Sequence, residues 1–337
     1  MAYEKPWSSY ESQLDQLIAR GMLVTDRVRA LNYLERIGYY RLSGYWFAFR
    51  ERSEACCPLD PGSVGKPRKV RVDRLALDVF KPGTCFQHAV ELYVFDKKLR
   101  LLALDALERI EIALRVDIAH RLGEKDRFAY LNPDLFFPGF SKTLDKQSGL
   151  TRHHEWLAKH AGLIGRSKED FIRHNREKYG LPLAIWVVCE IWDFGTLSTL
   201  FAGMREADQD AIAGKYGIAN GRLFASWLRS LNYLRNVCAH HSRLWNRNIV
   251  DQPKLPAAEE LPWTAPFIGN AHRLARPFLL FCIAQHLLDR INPTSSWGSR
   301  FQALLAEFPV QSGLSLEGMG MPAEDWASEL WPKNAGQ

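Results

Sequence analysis

Apolar residues recur every three or four positions along most of the chain, and strict alternation of apolar and polar residues is rare. A period near 3.6 residues is typical of amphipathic helices, whereas half-buried strands alternate with a period of two. The pattern therefore predicts an all-α protein.

The N-terminal part of the chain carries start and stop signals for two short helices. The first helix follows cap-like serines and ends at Gly21. The second begins at Thr25 or Asp26 and ends at Gly38. Serine, threonine and aspartate cap helix N-termini, and glycine commonly follows the last turn. These signals predict a helical hairpin.

The longest helical pattern, over residues 88–123, is apolar around most of its circumference, which is typical of a helix at the centre of a fold. Further helical patterns cover residues 151–179, 181–201, 221–247 and 270–291. Pro277 predicts a kink or break in the last of them.

We expect the chain to be divided into four parts. Residues 1–52 hold the hairpin and an aromatic segment, 53–80 form a basic loop or insertion, 81–309 form the main helical domain, and 310–337 form a loosely ordered tail. The basic residues of the insertion are Lys66, Lys69, Arg68, Arg71 and Arg74.

Composition and charge limit the partners, location and cofactors that this chain is expected to have. The formal net charge of +6 over 337 residues is compatible with a polyanionic partner. Six scattered cysteines without a CxxC pair predict reduced thiols and a cytoplasmic location. No apolar run reaches the roughly 18 residues of a membrane span, so no membrane partner is expected. The histidine spacing fits no metal motif, and we expect neither a metal nor another cofactor.

The helix over residues 221–247 separates its side chains by face, at about 100° per residue. His241 falls within the apolar arc, so it is predicted to be an interior histidine. Arg235 lies at the border of that arc. A polar stripe without acids holds Arg229, Asn232, Asn236, His240, Arg243 and Arg247. Two interpretations of this stripe stay open: a solvated surface, or a face that binds a phosphate backbone.

The segment "RNVCAH" matches the R-N-x-x-x-H signature of HEPN ribonucleases. Longer segments, including "RGMLVTDRVRALNYLERIGYYRLSGYW", "EIWDFGTLSTL" and "LRNVCAHHSRLWNR", resemble the Abi-like family of bacterial abortive-infection proteins. The resemblance implies a HEPN-like helical bundle and a phage-defence toxin that cuts RNA without a metal. It also implies a homodimer with a composite site, and an RNA or protein antitoxin is an expected partner.

The resemblance assigns the catalytic roles to Arg235, Asn236 and His240. A histidine can move the protons of the 2′-hydroxyl and of the 5′-oxygen leaving group, and an arginine can stabilise the phosphorane. The products would be a 2′,3′-cyclic phosphate and a 5′-hydroxyl. The residues expected to position the RNA backbone are Arg229, Arg243 and Arg247.

Other charged and aromatic residues allow two interpretations each. Glu108, Glu111 and Arg115 are spaced either for local ion pairing or to orient Arg235 without contacting the RNA themselves. His241 is a further candidate for such a supporting role. The aromatic segment 39–50 is either core or a stacking surface for bases, with Arg41 on phosphate.

Two other functions are compatible with the sequence. One is a non-catalytic RNA-binding module that holds a regulatory or structured RNA in the same basic cleft. The other is a DNA-binding regulator that uses the N-terminal helical hairpin.

Overall fold

The computed structural model describes residues 6–55, 74–310, 314–322 and 331. These residues form helices joined by loops, with a single two-stranded sheet, which confirms the all-α class. They divide into two compact units. The first unit comprises the described residues up to Lys98 and within 306–315, and the second comprises those from 99 to 305 and from 316 onwards.

The first unit begins with the predicted pair of helices, α1 (Tyr10–Ala19) and α2 (Arg27–Ile37), which pack against each other. The Ser9 side chain accepts a hydrogen bond from the Ser12 amide, and the Asp26 side chain accepts one from the Arg29 amide. Each cap satisfies an amide that the helix itself leaves without a partner.

The aromatic segment continues the first unit as α3 (Tyr39–Trp46) and a 3-10 helix (Phe47–Phe49). Tyr45, Trp46 and Phe49 are buried, so the segment contributes to the core. The Tyr45 hydroxyl donates to the fully buried carboxylate of Asp96 at 2.7 Å. A buried polar pair of this kind fixes the position of α3, because either group would be costly to leave unpartnered.

The short sheet was not predicted. Strand β1 (Arg50–Arg52) pairs antiparallel with β2 (Ala76–Phe80), and β2 lies in the segment expected to be loop. Both strands are short, β1 is charged throughout, and β2 does not alternate strictly between apolar and polar residues, so the sequence pattern does not predict them. Four of the predicted basic residues, at positions 66, 68, 69 and 71, lie outside the described residues.

The long helix α4 (Phe86–Gly123) matches its predicted bounds closely and contributes residues to both units. The second unit continues with α5 (Pro138–Ser141), α6 (Arg152–Arg166), α7 (Asp170–Tyr179), α8 (Ile185–Val188), α9 (Phe194–Gly203), α10 (Glu206–Lys215), α11 (Gly221–Ala239), α12 (Ala271–Leu274), α13 (Phe278–Ile291) and α14 (Trp297–Ala306).

Three of the predicted helical segments are divided. Residues 181–201 include α8, a 3-10 helix (Cys189–Ile191) and most of α9. Residues 151–179 form α6 and α7, because the backbone is extended at the C-cap Ser167 and at Glu169. The break at Pro277, which separates α12 from α13, follows the sequence prediction.

Helix α11 lies at the centre of the second unit, where α9, α10 and α13 pack against it. Its apolar face includes the fully buried Trp227, Leu228 and Leu231. Burying each such side chain contributes on the order of 1.5–3 kcal/mol. This packing fixes the axis of α11, and therefore the place where its polar face emerges.

Candidate functional site

Helix α11 ends earlier than its sequence pattern predicts. The last helical residue is Ala239, and His240 is the C-cap. The His241 amide donates to the Cys238 carbonyl and the Ser242 amide donates to the Val237 carbonyl, both at 3.0 Å. This pair of hydrogen bonds is the Schellman closure of a helix. The prediction of one helix over 221–247 was therefore wrong for its last eight residues.

The prediction that His241 is an interior residue was also wrong. His241 is exposed, and its φ of 54° places its backbone in the left-handed region. The helical wheel fails after position 240 because the chain reverses its twist there. Leu244 and Trp245 are nevertheless buried, so the chain turns back to the core directly after the closure. Histidine tolerates left-handed backbone better than most residues do.

The polar face of α11 is exposed to solvent at the R-N-x-x-x-H motif, as the sequence predicts. Arg229, Asn236 and His240 are exposed and share one face of the helix, and Arg235 is half-buried. Asn232, also on this side, is half-buried with its carboxamide next to Gly195 on α9. The structure therefore leaves the His240 imidazole accessible at the end of α11.

The two arginines that follow the closure differ in their surroundings. The Arg247 Nε donates to the Tyr233 hydroxyl at 2.8 Å, and its guanidinium lies 5.7 Å from the centre of that ring. Arg247 is therefore folded back onto α11. Arg243 is half-buried, and its charge helps to lower the pKa of Arg276, which burial lowers most. Arg243 thus lies within electrostatic reach of a second arginine.

Glu111 is a half-buried carboxylate on α4. Burial raises the pKa of Glu111, while the charges of Arg115 and Arg235 lower it. Arg115 Nη2 donates to Glu111 Oε1 at 3.0 Å and to the Trp192 carbonyl at 3.1 Å. The Glu111–Arg115 ion pair that the spacing suggests is formed, and Glu111 also lies within electrostatic reach of Arg235. Glu108 is exposed.

Arg41 belongs to the first unit, where it is an exposed residue of α3. Its neighbour Tyr40 is 92% exposed, whereas Tyr45, Trp46 and Phe49 are buried. The residues around His240 belong to the second unit.

The profile of a protein family described as Abi-like protein matches residues 32–246, more than half of the chain. The chain belongs to this family. Membership suggests a role in abortive infection for this Abi-like protein, and it confirms the resemblance seen in the sequence at the level of the family. The matched segment includes Arg235, Asn236 and His240. Neither the curated proteins nor the solved structures gave a match.

Sequence reasoning missed three basic residues of this Abi-like protein that border the end of α11. The buried Arg100 on α4 donates to the Ser242 carbonyl at 3.4 Å. Arg276 donates to the Asn246 carbonyl and, through Nε, to His272 Nε2 at 3.3 Å. No sequence signal identifies them, because they lie outside α11 and far from the motif in the chain.

Within the described parts of this Abi-like protein, three or more histidine, cysteine, aspartate or glutamate side chains are nowhere close enough together to hold a metal ion. The helices described there also lack the combination of length and apolar character needed to cross a membrane.

Proposed function

We propose that this Abi-like protein is a metal-independent endoribonuclease that acts as an abortive-infection toxin. The observation that carries the proposal is the accessible imidazole of His240 at the C-cap of α11, with Asn236 one turn earlier on the same face. Arg235, on the same segment, is within electrostatic reach of the Glu111 carboxylate. Acid–base and charge-stabilising side chains thus occur together on one short segment.

The chemistry requires the transfer of two protons and the stabilisation of a negative charge. His240 would take the proton of the 2′-hydroxyl or give one to the 5′-oxygen leaving group. Arg235, permanently charged and forked, would stabilise the phosphorane. Asn236 would orient His240 or bind a phosphate oxygen. The products would be a 2′,3′-cyclic phosphate and a 5′-hydroxyl end.

Bound RNA needs further positive charge at this place. The C-terminal end of a helix carries a partial negative charge, which opposes an anion. Arg229, Arg243 and Arg247 would offset it and hold the RNA backbone. Arg247 would have to leave Tyr233, or bind phosphate through the guanidinium nitrogens that do not contact that ring.

The proposal includes a homodimer. Residues 235 and 240 are about 140° apart around a helix axis, so their side chains do not share one face. Around a twofold axis, Arg235 of one copy could meet His240 of the other, and one motif would then be used twice. An RNA or protein antitoxin that covers this surface would restrain the toxin.

The test is cleavage of labelled single-stranded RNA in EDTA. The native chain should cut RNA, leave 2′,3′-cyclic phosphate ends and spare DNA, which lacks the 2′-hydroxyl. His240→Ala and Arg235→Ala should each abolish cutting, whereas His174→Ala, at an exposed histidine on α7, should cut normally. Tight RNA binding without cutting by the native chain would reject the nuclease in favour of a non-catalytic RNA-binding module.

A further inference from the structure

Four basic side chains lie together in the second unit, next to the chain that follows the closure of α11. Arg276 Nε donates to His272 Nε2 at 3.3 Å. Burial lowers the pKa of both His272 and Arg276 most. The charges of Arg276 and Arg273 lower the pKa of His272 further, and the charge of Arg243 does the same for Arg276. These four residues, Arg243, His272, Arg273 and Arg276, are called the basic cluster below.

The charges that act on His272 are mostly positive. Those of Arg276 and Arg273 are opposed by the carboxylate of Glu317. Arg276 is half-buried, so its charge is also partly removed from water. Like charges held together at a partly buried site repel one another, and a bound anion would relieve that repulsion.

The guanidinium groups of the basic cluster are held in place by the backbone. Arg276 Nη1 donates to the Asn246 carbonyl, and Arg273 Nη1 donates to the Pro266 carbonyl at 2.9 Å. Gly320 packs so closely on Arg276 that an added Cβ would lie 2.6 Å from the Cβ of Arg276. A ligand therefore meets donors that have already lost much of their side-chain freedom, which lowers the entropy cost of binding.

Donor groups of the basic cluster remain available. In the part of the chain that the structure describes, Arg276 Nη2 has no hydrogen-bond acceptor. Because His272 Nε2 accepts from Arg276, the proton of the neutral imidazole is on Nδ1, where it can be donated. An anion with several oxygens, such as a phosphate group, would accept hydrogen bonds from both.

The basic cluster borders the proposed cleavage site. Arg243 follows His240 by three residues, so their Cα atoms are at most about 11 Å apart. We infer that Arg243, His272 and Arg276 form a subsite for a phosphate of the RNA backbone adjacent to the cleaved bond. This inference rests on the proposed function and adds His272 and Arg276 to the RNA-contacting residues.

Binding by a protein that cannot cut tests the subsite. In a full-length His240→Ala background, the dissociation constant for labelled single-stranded RNA is measured over a series of salt concentrations. Arg276→Gln should weaken binding about tenfold, as expected for the loss of a charge-assisted hydrogen bond. The slope of log affinity against log salt should fall by about 0.7 for one lost phosphate contact.

Matched variants separate the subsite from general charge effects. Arg222→Gln removes an exposed arginine from the opposite end of α11 and should leave affinity and salt slope near those of the parent. Equal losses in Arg222→Gln and Arg276→Gln would overturn the inference. His272→Gln, at an exposed position, allows RNA affinity to be measured if Arg276→Gln fails to fold. Unchanged affinity in a folded His272→Gln protein would also count against the subsite.

Two further arms identify the phosphate. RNA with a 5′-phosphate and RNA with a 5′-hydroxyl should lose affinity equally in Arg276→Gln, because the subsite binds a backbone phosphate. A loss confined to the 5′-phosphorylated RNA would assign the cluster to a chain end and contradict the inference. Failure of the nuclease proposal is read separately, from the absence of cutting by the native chain in EDTA.

Discussion

His240 and His241 are adjacent in sequence and opposite in backbone conformation. His240 is the C-cap of α11 with a φ of −87°, whereas His241 has a φ of 54°. The left-handed residue lets the Val237 and Cys238 carbonyls find amide partners and sends the chain back towards the core. The position of His240, and hence the accessibility of its imidazole, depends on this closure.

The backbone strain at His241 can be measured. We expect His241→Gly to be more stable than His241→Ala by about 1 kcal/mol, because both variants lose the side chain and only alanine keeps a Cβ in the left-handed conformation. Urea unfolding of the two variants gives the difference directly. Equal midpoints for the two variants would mean that the closure of α11 does not have this conformation in solution.

A composite site predicts complementation between inactive variants. Arg235→Ala and His240→Ala should each be inactive alone. Mixed after dissociation and reassembly in equal amounts, they should regain about a quarter of the native cleavage rate, because half of the dimers are mixed and each holds one intact site. The readout is cleavage of labelled RNA. A mixture that stays inactive although mixed dimers have formed would show that both residues act within one copy.

Measuring cleavage rate and thermal stability separately shows whether Glu111 orients Arg235 or only stabilises the fold. If Glu111 orients Arg235, Glu111→Gln should lower the single-turnover cleavage rate about tenfold and leave RNA affinity nearly unchanged, a cost typical of a lost positioning interaction. Glu108→Gln, at an exposed position of the same helix, is the matched control. A normal cleavage rate with reduced thermal stability would mean that Glu111 serves only its ion pair with Arg115.

Two buried histidines predict a loss of stability in mild acid. Burial lowers the pKa of His160 and of His286 to about 4. His160 accepts from Trp192 Nε1 and His286 accepts from Trp263 Nε1, so both are neutral in the fold. Because the unfolded chain binds these protons near pH 6.5, stability should be constant above about pH 7 and fall as the pH approaches 4.

The expected size of the acid effect is about 2 kcal/mol for each histidine at pH 5. Urea unfolding at pH 7 and pH 5 measures it. His286→Gln should lower stability at pH 7 and reduce the difference between the two pH values, since glutamine does not titrate. An unchanged pH difference in this variant would contradict a neutral, buried His286.

The local signals for helices were reliable in this chain, and so were several helix ends. The caps Ser9 and Asp26, the C-terminal Gly38 and the break at Pro277 depend on neighbouring residues, so they can be identified from the sequence alone. The end of α11 was missed because it lacks a glycine and because the helical period fits Leu244 and Trp245 beyond the true end.

The sequence by itself determined the all-α class, the long helix over residues 88–123 and the spacing of Arg235, Asn236 and His240, since helix propensity, capping and periodicity are properties of short segments. Only the tertiary structure decided that His241 is exposed, that β1 pairs with β2, that Glu111 is within electrostatic reach of Arg235, and that Arg276 contacts His272 and is within electrostatic reach of Arg243. Some of these features join residues that are distant in the chain. Others depend on buried side chains that return the chain to the core. Local sequence patterns predict neither.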